Sequence, residues 1–535
     1  MSNFVKIQAQ QSTISASQNL IDFEIPEHLQ GVDLSKSFIN IKCRITENDA
    51  TIDGVTPIYN YALKFNGVGG ANAPCMLPNS SLVRNCHLTS SKVGQLESLR
   101  RADLFNAVKH HYSSNLGDSF GEQSSSIGQL PSWNQTAAPA GLRNILIDGG
   151  AMSTNEDSAF RVNLKDVLGL GNSVLNLNQL GSLRLHVEAN LNKFSLLPIP
   201  VVTTAGVATS NHNEYFKQTT LGATIPVGSQ PTEIQVVLRG AANVDGANCL
   251  NDRSNCPYWV GQLINVVVAP VTDALLQQTA IITAMEWVDS EDGLVPTTGT
   301  TGQIIKLTLN RSYLNAVSTA AITGLDIAPI VAINPELEYL GAEIVLATTV
   351  APPVAKGLMY RTFTTQEDYA SATTSFQNMY QLPANAIANL VCFDTTSSAT
   401  DFSNSWDKDV SQYQLFVDNI PVTDRPVNIN TVTGEGRMPD SLHGIMLEKT
   451  LSEMGIEFKN YTETQLQPLN AAGTDINNDM LLTQPSKGDY VGVLVLPSVL
   501  PASNGSKLFQ INITKSASTD MNIVLFQMIE RVINF

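Results

Sequence analysis

The chain has 535 residues, 43% of them hydrophobic, and 48 acidic against 31 basic residues give a net charge of −17. A chain of this length exceeds what one hydrophobic core supports, so we expect two or more domains, and its hydrophobic content excludes a disordered protein. The acidic balance argues against direct binding of nucleic acid, because phosphates are neutralised by lysine and arginine.

Charged residues make up only 15% of the chain, against roughly 25% in an ordinary soluble domain. Asparagine, glutamine, serine and threonine take their place. A surface of neutral polar groups repels itself weakly, which favours a protein whose sides pack against copies of itself. A β-rich protein with long polar loops is the simpler alternative.

Residues 1–18 are polar and without periodicity, which predicts a flexible N-terminal arm. They lack the apolar stretch of a signal peptide, and no window of the chain reaches the ~18 apolar residues of a spanning helix. Cys249 and Cys256 flank the short segment CLNDRSNC, where a local disulfide is permitted but free thiols are favoured without a secretory route. We therefore expect a reducing, intracellular setting.

Alternating apolar and polar residues predict strands along the whole chain. In the first part these strands fall at 21–25, 39–45, 82–88, 183–189, 233–239, 262–268, 303–309 and 337–350. Apolar residues at threefold spacing predict a helix over 93–108, and the segment 160–170 predicts a single helical turn. The pair Pro352-Pro353 is the best domain boundary.

Beyond this pair the pattern of strands, one helix and further strands begins again. Strands are predicted at 359–364, 388–393, 413–417, 490–496, 508–514 and 522–532. A helix is predicted over 441–454, with a cap at Asp440 or Ser441 and a stop at Gly455. Its inward-facing residues would be Leu442, Ile445, Met446, Leu451 and Met454. The predicted organisation is an arm (1–18), a first β domain (19–345) and a second (346–535).

The sequence offers no catalytic, cofactor-binding or metal-binding residues. It lacks the nucleophile elbow, the phosphate-binding lysine loop and the paired histidine or cysteine motifs of zinc sites. The glycines of 67–70 precede a loop rather than a helix, and adjacent His110 and His111 would not face one metal. The acidic segments 289–293 and 401–407 lack calcium-loop spacing and are interpreted as turns. We therefore expect no enzymatic activity and no cofactor.

Four segments resemble the double-jelly-roll major capsid proteins of virophages, polinton-like viruses and their adenovirus-type relatives. They are a strand-then-helix element at 82–113, a turn-then-strand element at 160–190, a strand leading into an Arg-Pro step at 413–427, and a final hairpin at 506–535. The resemblance implies an all-β chain of two consecutive eight-stranded jelly rolls, with a few short inserted helices and long loops.

The resemblance also implies a structural role. In that family three chains form a trimer of nearly hexagonal outline, and the trimers tile an icosahedral shell around a DNA genome. It implies a location in the virion after assembly inside the host cell, with a penton protein and minor capsid or cement proteins as further partners. No sequence-specific contact with nucleic acid is expected, and contact with an internal membrane is left open. Loops at 112–139, 201–230 and 289–301 would face outward.

Two other classes of protein were weighed against this one. A carbohydrate-binding or adhesive β-sandwich protein, such as a fibre or spike, would need a stalk repeat or an aromatic ligand surface. A β-sandwich hydrolase would need convergent carboxylates or a triad. The sequence shows neither set of features.

Overall fold

The structure is a computed structural model of the full chain. It describes residues 3–15, 17–47, 51–65, 79–113, 152–154, 157–191, 194–199, 220–221, 227–238, 258–269, 278–287, 303–317, 324–330, 335–394, 410–428, 441–457, 495–500 and 505–535. Several segments discussed above lie outside these residues: the loop at 289–301, the 112–139 loop beyond residue 113, the segments 67–70 and 401–407, and Cys249 and Cys256. Of the loop at 201–230, only residues 220–221 and 227–230 are described.

The described residues form twenty-five strands and four short α-helices. The strands before the insertion are β1 (Asn3–Gln8), β2 (Leu20–Ile25), β3 (Gly31–Thr46), β4 (Asn60–Phe65), β5 (Val83–Ser90), β6 (Gly94–Leu99), β7 (Met152–Ser153), β8 (Asp157–Asn163), β9 (Val174–Asn176) and β10 (Leu183–Ala189). The next are β11 (Phe194–Ile199), β12 (Thr220–Leu221), β13 (Glu233–Leu238), β14 (Leu263–Ala269), β15 (Thr279–Trp287), β16 (Gln303–Leu309), β17 (Gly324–Pro329) and β18 (Glu336–Thr349).

The remaining strands are β19 (Gly357–Leu382), β20 (Ala386–Asp394), β21 (Val410–Val417), β22 (Ile420–Pro421), β23 (Val427–Asn428), β24 (Val495–Val499) and β25 (Lys507–Asn534). The helices are α1 (Ala102–Ser113), α2 (Leu164–Val167), α3 (Leu177–Leu180) and α4 (Ser441–Glu453).

The first domain is a jelly roll. One sheet has the order β1–β18–β3–β8 and the other the order β2–β10–β5–β6, with neighbouring strands antiparallel. When the roll's eight strands are numbered along the chain, the first sheet has the order first–eighth–third–sixth and the second sheet the order second–seventh–fourth–fifth. This order is the double Greek key of a jelly roll. Apolar residues on the facing sides of the two sheets form its core.

The second domain repeats this order with seven strands, of which β19 and β25 are long enough to contribute to both sheets. The second half of β25 lies between the first half of β19 and β20, which pairs with β24. The first half of β25 lies between the second half of β19 and β21, which pairs with β22 and β23. The register of β19 with β25 shifts between Ala370 and Ser375, where both strands pass from one sheet to the other. The chain is therefore an all-β double jelly roll.

An insertion between β10 and β18 forms a separate small domain. Its six-stranded sheet has the order β12–β13–β16–β15–β14–β17 and a core of its own around Ile264, Leu307 and Tyr313. A three-stranded sheet, β11–β4–β7, is formed by strands from three connecting segments of the first roll: those between β3 and β5, between β6 and β8, and after β10.

The N-terminal prediction is wrong for residues 3–8. These residues form β1, which pairs with β18 through six register positions from Asn3–Thr348 to Gln8–Glu343. Val5 and Ile7 are half-buried and alternate with exposed Lys6 and Gln8, and the edge of β18 supplies the backbone partners that this segment needs to form a strand. The first roll also extends to Thr349, so its last strand crosses the predicted boundary at 345/346.

The predicted helix over 93–108 begins late, because residues 94–99 form β6. The register between β5 and β6 shifts opposite Leu88 and Thr89, which leaves Leu96 as an extra residue in the strand. Buried Leu96 and Leu99 then lie three residues apart on a strand, as they would on a helix. A bulge thus imitated helical spacing.

Three further predictions are corrected. Of the turn predicted at 160–170, residues up to Asn163 continue β8, and α2 covers Leu164–Val167. The predicted final hairpin is one continuous strand of 28 residues, because its two halves belong to different sheets. In α4, Ile445 is exposed, and the buried positions include Leu447 and Leu451; Met454, directly after the helix, is also buried.

Most other predicted elements are confirmed. The strands at 183–189 and 303–309 have the predicted bounds, and the helix over 441–454 is α4, followed by Gly455 with φ of 71°. Of the strand predicted at 490–496, residues 490–494 lie outside the described part of the chain, and β24 continues to Val499.

Candidate functional site: the junction between the two jelly rolls

One sheet of the second roll is covered on both of its faces. Val391 and Phe393 of β20 point into the second roll's own core, whereas Leu390 and Cys392 join the core of the first roll. In β25, Ile523 and Leu525 alternate in the same way with Val524 and Phe526. The shared core makes the two rolls one packed unit.

This double burial has a visible sequence signal. A strand with one buried face alternates apolar and polar residues, whereas a strand buried on both faces has an unbroken apolar run. Such runs occur at Leu390–Phe393 (LVCF) and Ile523–Phe526 (IVLF). Sequence reasoning identified both strands, but it did not use the runs to locate the contact between domains.

Three phenylalanine rings meet in the junction. The ring of Phe105, on α1, stacks on Phe363 of β19 with centroids 4.3 Å apart. Its centroid also lies 5.3 Å from that of Phe526, and the centroids of Phe363 and Phe526 are 5.4 Å apart with rings nearly perpendicular. Such aromatic pairs add about 0.5–1.5 kcal/mol to their area burial. Helix α1 therefore joins the second roll to the first.

A buried carboxylate, Glu97 of β6, bridges the rolls. It accepts hydrogen bonds from the backbone N–H groups of Gly169 and Leu170, at 2.8 and 3.2 Å, and from the hydroxyl of Thr362 on β19, at 2.7 Å. Burial raises the pKa of Glu97, and these three donors act in the opposite direction. The carboxylate thus links a turn of the first roll to the first strand of the second.

Gly169 is required by this close approach. A Cβ at this position would lie 2.4 Å from the carbonyl oxygen of Arg361 and 2.5 Å from Oε1 of Glu97. Real Cβ contacts of this length do not occur, and the first of the two atoms belongs to the backbone. Any side chain at residue 169 would push β19 away from the first roll.

Polar contacts continue along β19 and β25. The hydroxyl of Tyr360 donates to the carbonyl of Leu96, and Arg531 Nη2 donates to the carbonyl of Gln95 at 2.9 Å. Thr365 donates to the carbonyl of Arg100 at 2.8 Å. These bonds satisfy backbone groups at the edge of β6, where the sheet would otherwise present unpaired carbonyls.

The linker between the rolls is also held in place. Asn176 Nδ2 donates to the carbonyl of Pro352 at 2.7 Å. Gln179 forms two bonds with Ala355, one from its Nε2 to the carbonyl at 2.9 Å and one from the backbone N–H to its Oε1 at 3.2 Å. The first roll therefore holds the linker on both sides of Pro353.

Strand β1 is joined to the first roll by a second buried carboxylate. Glu343 of β18 accepts from Gln8 of β1 at 3.1 Å and from Asn40 of β3 at 3.3 Å, and its oxygens lie 2.8 Å from Lys42 Nζ and 3.5 Å from Lys6 Nζ. Burial raises the pKa of Glu343, but the bonds with Lys42, Asn40 and Gln8 lower it more, to about 2. Glu343 therefore remains ionised and crosslinks three strands.

The glycines of 67–70, the acidic segments 289–293 and 401–407, and Cys249 and Cys256 lie outside the described part of the chain. No group of three or more histidine, cysteine or acidic side chains among the described residues could hold a metal ion. Cys43, Cys86 and Cys392 are buried, and burial raises the pKa of Cys43 to about 12. Among the same residues no helix is long and apolar enough to cross a membrane. The side chains of His110 and His111 lie outside the description.

No protein-family model and no curated protein sequence matches the chain. Among solved structures it is similar to a chain of the Sputnik virophage, at 11% identity and a TM-score of 0.35, over 99% of this chain and 86% of that chain. The mavirus major capsid protein has 10% identity and a TM-score of 0.36, over 99% and 86%. The Faustovirus major capsid protein has 9% identity and a TM-score of 0.39, over 100% and 90%.

Proposed function

We propose that this chain is the major capsid protein of a virus, and that three copies form a pseudo-hexagonal capsomer. The observation that carries the proposal is the junction, in which two jelly rolls of the same strand order share one core. Jelly rolls are a common building unit of viral shells. Three chains with two rolls each present six similar units around one axis, which is the outline that a hexagonal lattice needs.

The composition supports the same proposal. With charged residues at 15% of the chain, large contacts between copies form without strong repulsion. Each contact in the trimer should bury more than ~2,000 Å², as permanent interfaces do. The trimers would tile an icosahedral shell around a DNA genome inside the host cell. A penton protein and minor capsid or cement proteins would complete the virion.

The oligomeric state is the first test. Light scattering of the purified chain at micromolar concentration should give about 173 kDa, three times the 57.7 kDa of one chain. Electron microscopy should then show hexagonal particles or closed shells. A monomer at that concentration would contradict the trimer.

A glycan-binding or adhesive protein would give a different result. It would bind an immobilised glycan array as purified protein and would form no hexagonal lattice at high concentration. Because the two outcomes differ in both assays, one preparation of the wild-type chain distinguishes the capsid proposal from this alternative.

A further inference from the structure

A row of polar side chains crosses the outer face of the sheet β2–β10–β5–β6. The register places Asp22 of β2 opposite His186 of β10, His186 opposite His87 of β5, and His87 opposite Ser98 of β6. The row therefore contains one residue from each strand. Its two histidines are cross-strand neighbours on the central pair of strands, where Cβ atoms are about 5 Å apart.

Each histidine contacts the residue at its own end of the row. His186 Nδ1 contacts Asp22 Oδ1, and His87 Nδ1 lies 2.8 Å from the hydroxyl oxygen of Ser98. Asp22 is itself held by Gln11, which donates to its carboxylate at 3.0 Å and accepts from its backbone N–H at 2.8 Å. An ionised His186 thus has a carboxylate, whereas an ionised His87 faces a neutral hydroxyl.

The other charges on this face do not compensate for a second imidazolium. Both nearby carboxylates already lie near an arginine: Asp22 is 3.7 Å from Arg184, and Glu188 is 3.8 Å from Arg84 and accepts from Asn85. Further along the same sheet Glu24 is the register partner of Arg184, and the charge of Arg100, beyond the end of β6, acts on His87.

We propose that this row makes the pairing of β5 with β10 sensitive to acid. When both imidazoles carry a proton, two positive charges stand side by side in the centre of the sheet, with an adjacent carboxylate for only one of them. Like charges at directly opposed positions destabilise a strand pair. Because β6 continues the same sheet and carries Glu97, loosening β5 from β10 also weakens the junction between the rolls.

The direction of the pH effect follows from His87. Burial lowers the pKa of His87 below its ordinary 6.5; His186 and Arg100 act in the same direction and Glu188 in the other. The folded sheet therefore binds fewer protons than the unfolded chain once the pH falls below about 6.5. Stability from this row is fully present above that pH and is lost as the pH falls through and below it.

Hydrogen exchange followed by mass spectrometry of the full chain tests the proposal. Protection in peptides covering β5 and β10, corrected for intrinsic exchange rates, should fall roughly three- to tenfold between about pH 7.5 and about pH 5. Peptides from β13 and β16 in the insertion should change much less. In His87→Gln the loss in β5 and β10 should be less than about twofold, since a neutral amide replaces the titrating ring.

Two further variants keep the test decisive. His186→Gln removes the other charge and should also reduce the acid response, so it substitutes for His87→Gln if that variant does not fold. His28→Gln is the matched control, because His28 is exposed and lies outside the row; it should respond like the wild type. Equal acid responses in the wild type, His87→Gln and His186→Gln would overturn the proposal, as would a wild type with no loss of protection.

Discussion

Phe105→Ala should weaken the coupling between the two jelly rolls, so that they no longer unfold together. The ring of Phe105 is 8% exposed and fills the space between Phe363 and Phe526, so its removal leaves a cavity that neither roll can close alone. Removing a buried phenylalanine costs about 3–5 kcal/mol. A free energy of about 1.4 kcal/mol corresponds to a factor of ten in an equilibrium constant. The equilibrium constant that favours packed rolls over separated rolls would therefore fall roughly a thousandfold.

Differential scanning calorimetry of the full chain measures this effect. If the shared core couples the rolls, the wild type should unfold them in one transition and Phe105→Ala should show two, since loss of coupling ends two-state behaviour. The control is Phe393→Ala, which removes the same ring from the core inside the second roll. This control should lower the transition temperature by a comparable amount without affecting the junction contacts.

The reasoning makes a comparison that can fail. If Phe105→Ala and Phe393→Ala give the same profile, the junction is not what couples the rolls. A surface substitution changes the free energy of unfolding by no more than about 0.5 kcal/mol. If the transition temperature of Phe105→Ala shifts only as much as such a change would cause, the ring does not fill an essential space. Either result would refute the shared core as the reason that the chain behaves as one unit.

Three further substitutions test the junction and the N-terminal strand. Gly169→Ala should destabilise the chain by about 1–3 kcal/mol or more in thermal unfolding, because its Cβ would meet Arg361 and Glu97, whereas Gly444→Ala, which has open space around its Cβ, should not. Thr362→Val removes a donor from buried Glu97 and should cost roughly 1.5–3 kcal/mol in denaturant unfolding at neutral pH, and less near pH 4, where protonation removes the charge-assisted bond. Glu343, with its pKa lowered from 4.5 to about 2, stabilises the fold above pH 4.5 and loses this effect as the pH falls towards 2. Acid titration followed by circular dichroism should therefore show a loss on the order of 3 kcal/mol in the wild type that is absent from Glu343→Gln, and equal acid sensitivity would contradict this role.

The secondary structure was largely predictable from local pattern. Strands such as Leu183–Ala189 alternate because one face lies on a core and the other on a polar surface, and this relation needs no knowledge of the partner strand. Helix α4 was equally local, since an apolar face and Gly455 with its positive φ mark its course and its end. The errors occurred where a second contact altered the pattern, as in β6, whose bulge beside the second roll imitates a helix.

What the sequence by itself determined is the set of one-sided strands and the all-β class. Only the tertiary structure decided that residues 3–8 complete a sheet, that β19 and β25 each pass through two sheets, and that Glu97 is buried between the rolls. Strand pairing depends on backbone groups of residues far away along the chain, and these groups are the same in every residue type except proline. Side-chain periodicity therefore shows which face of a strand is buried, but not which strand or domain buries it.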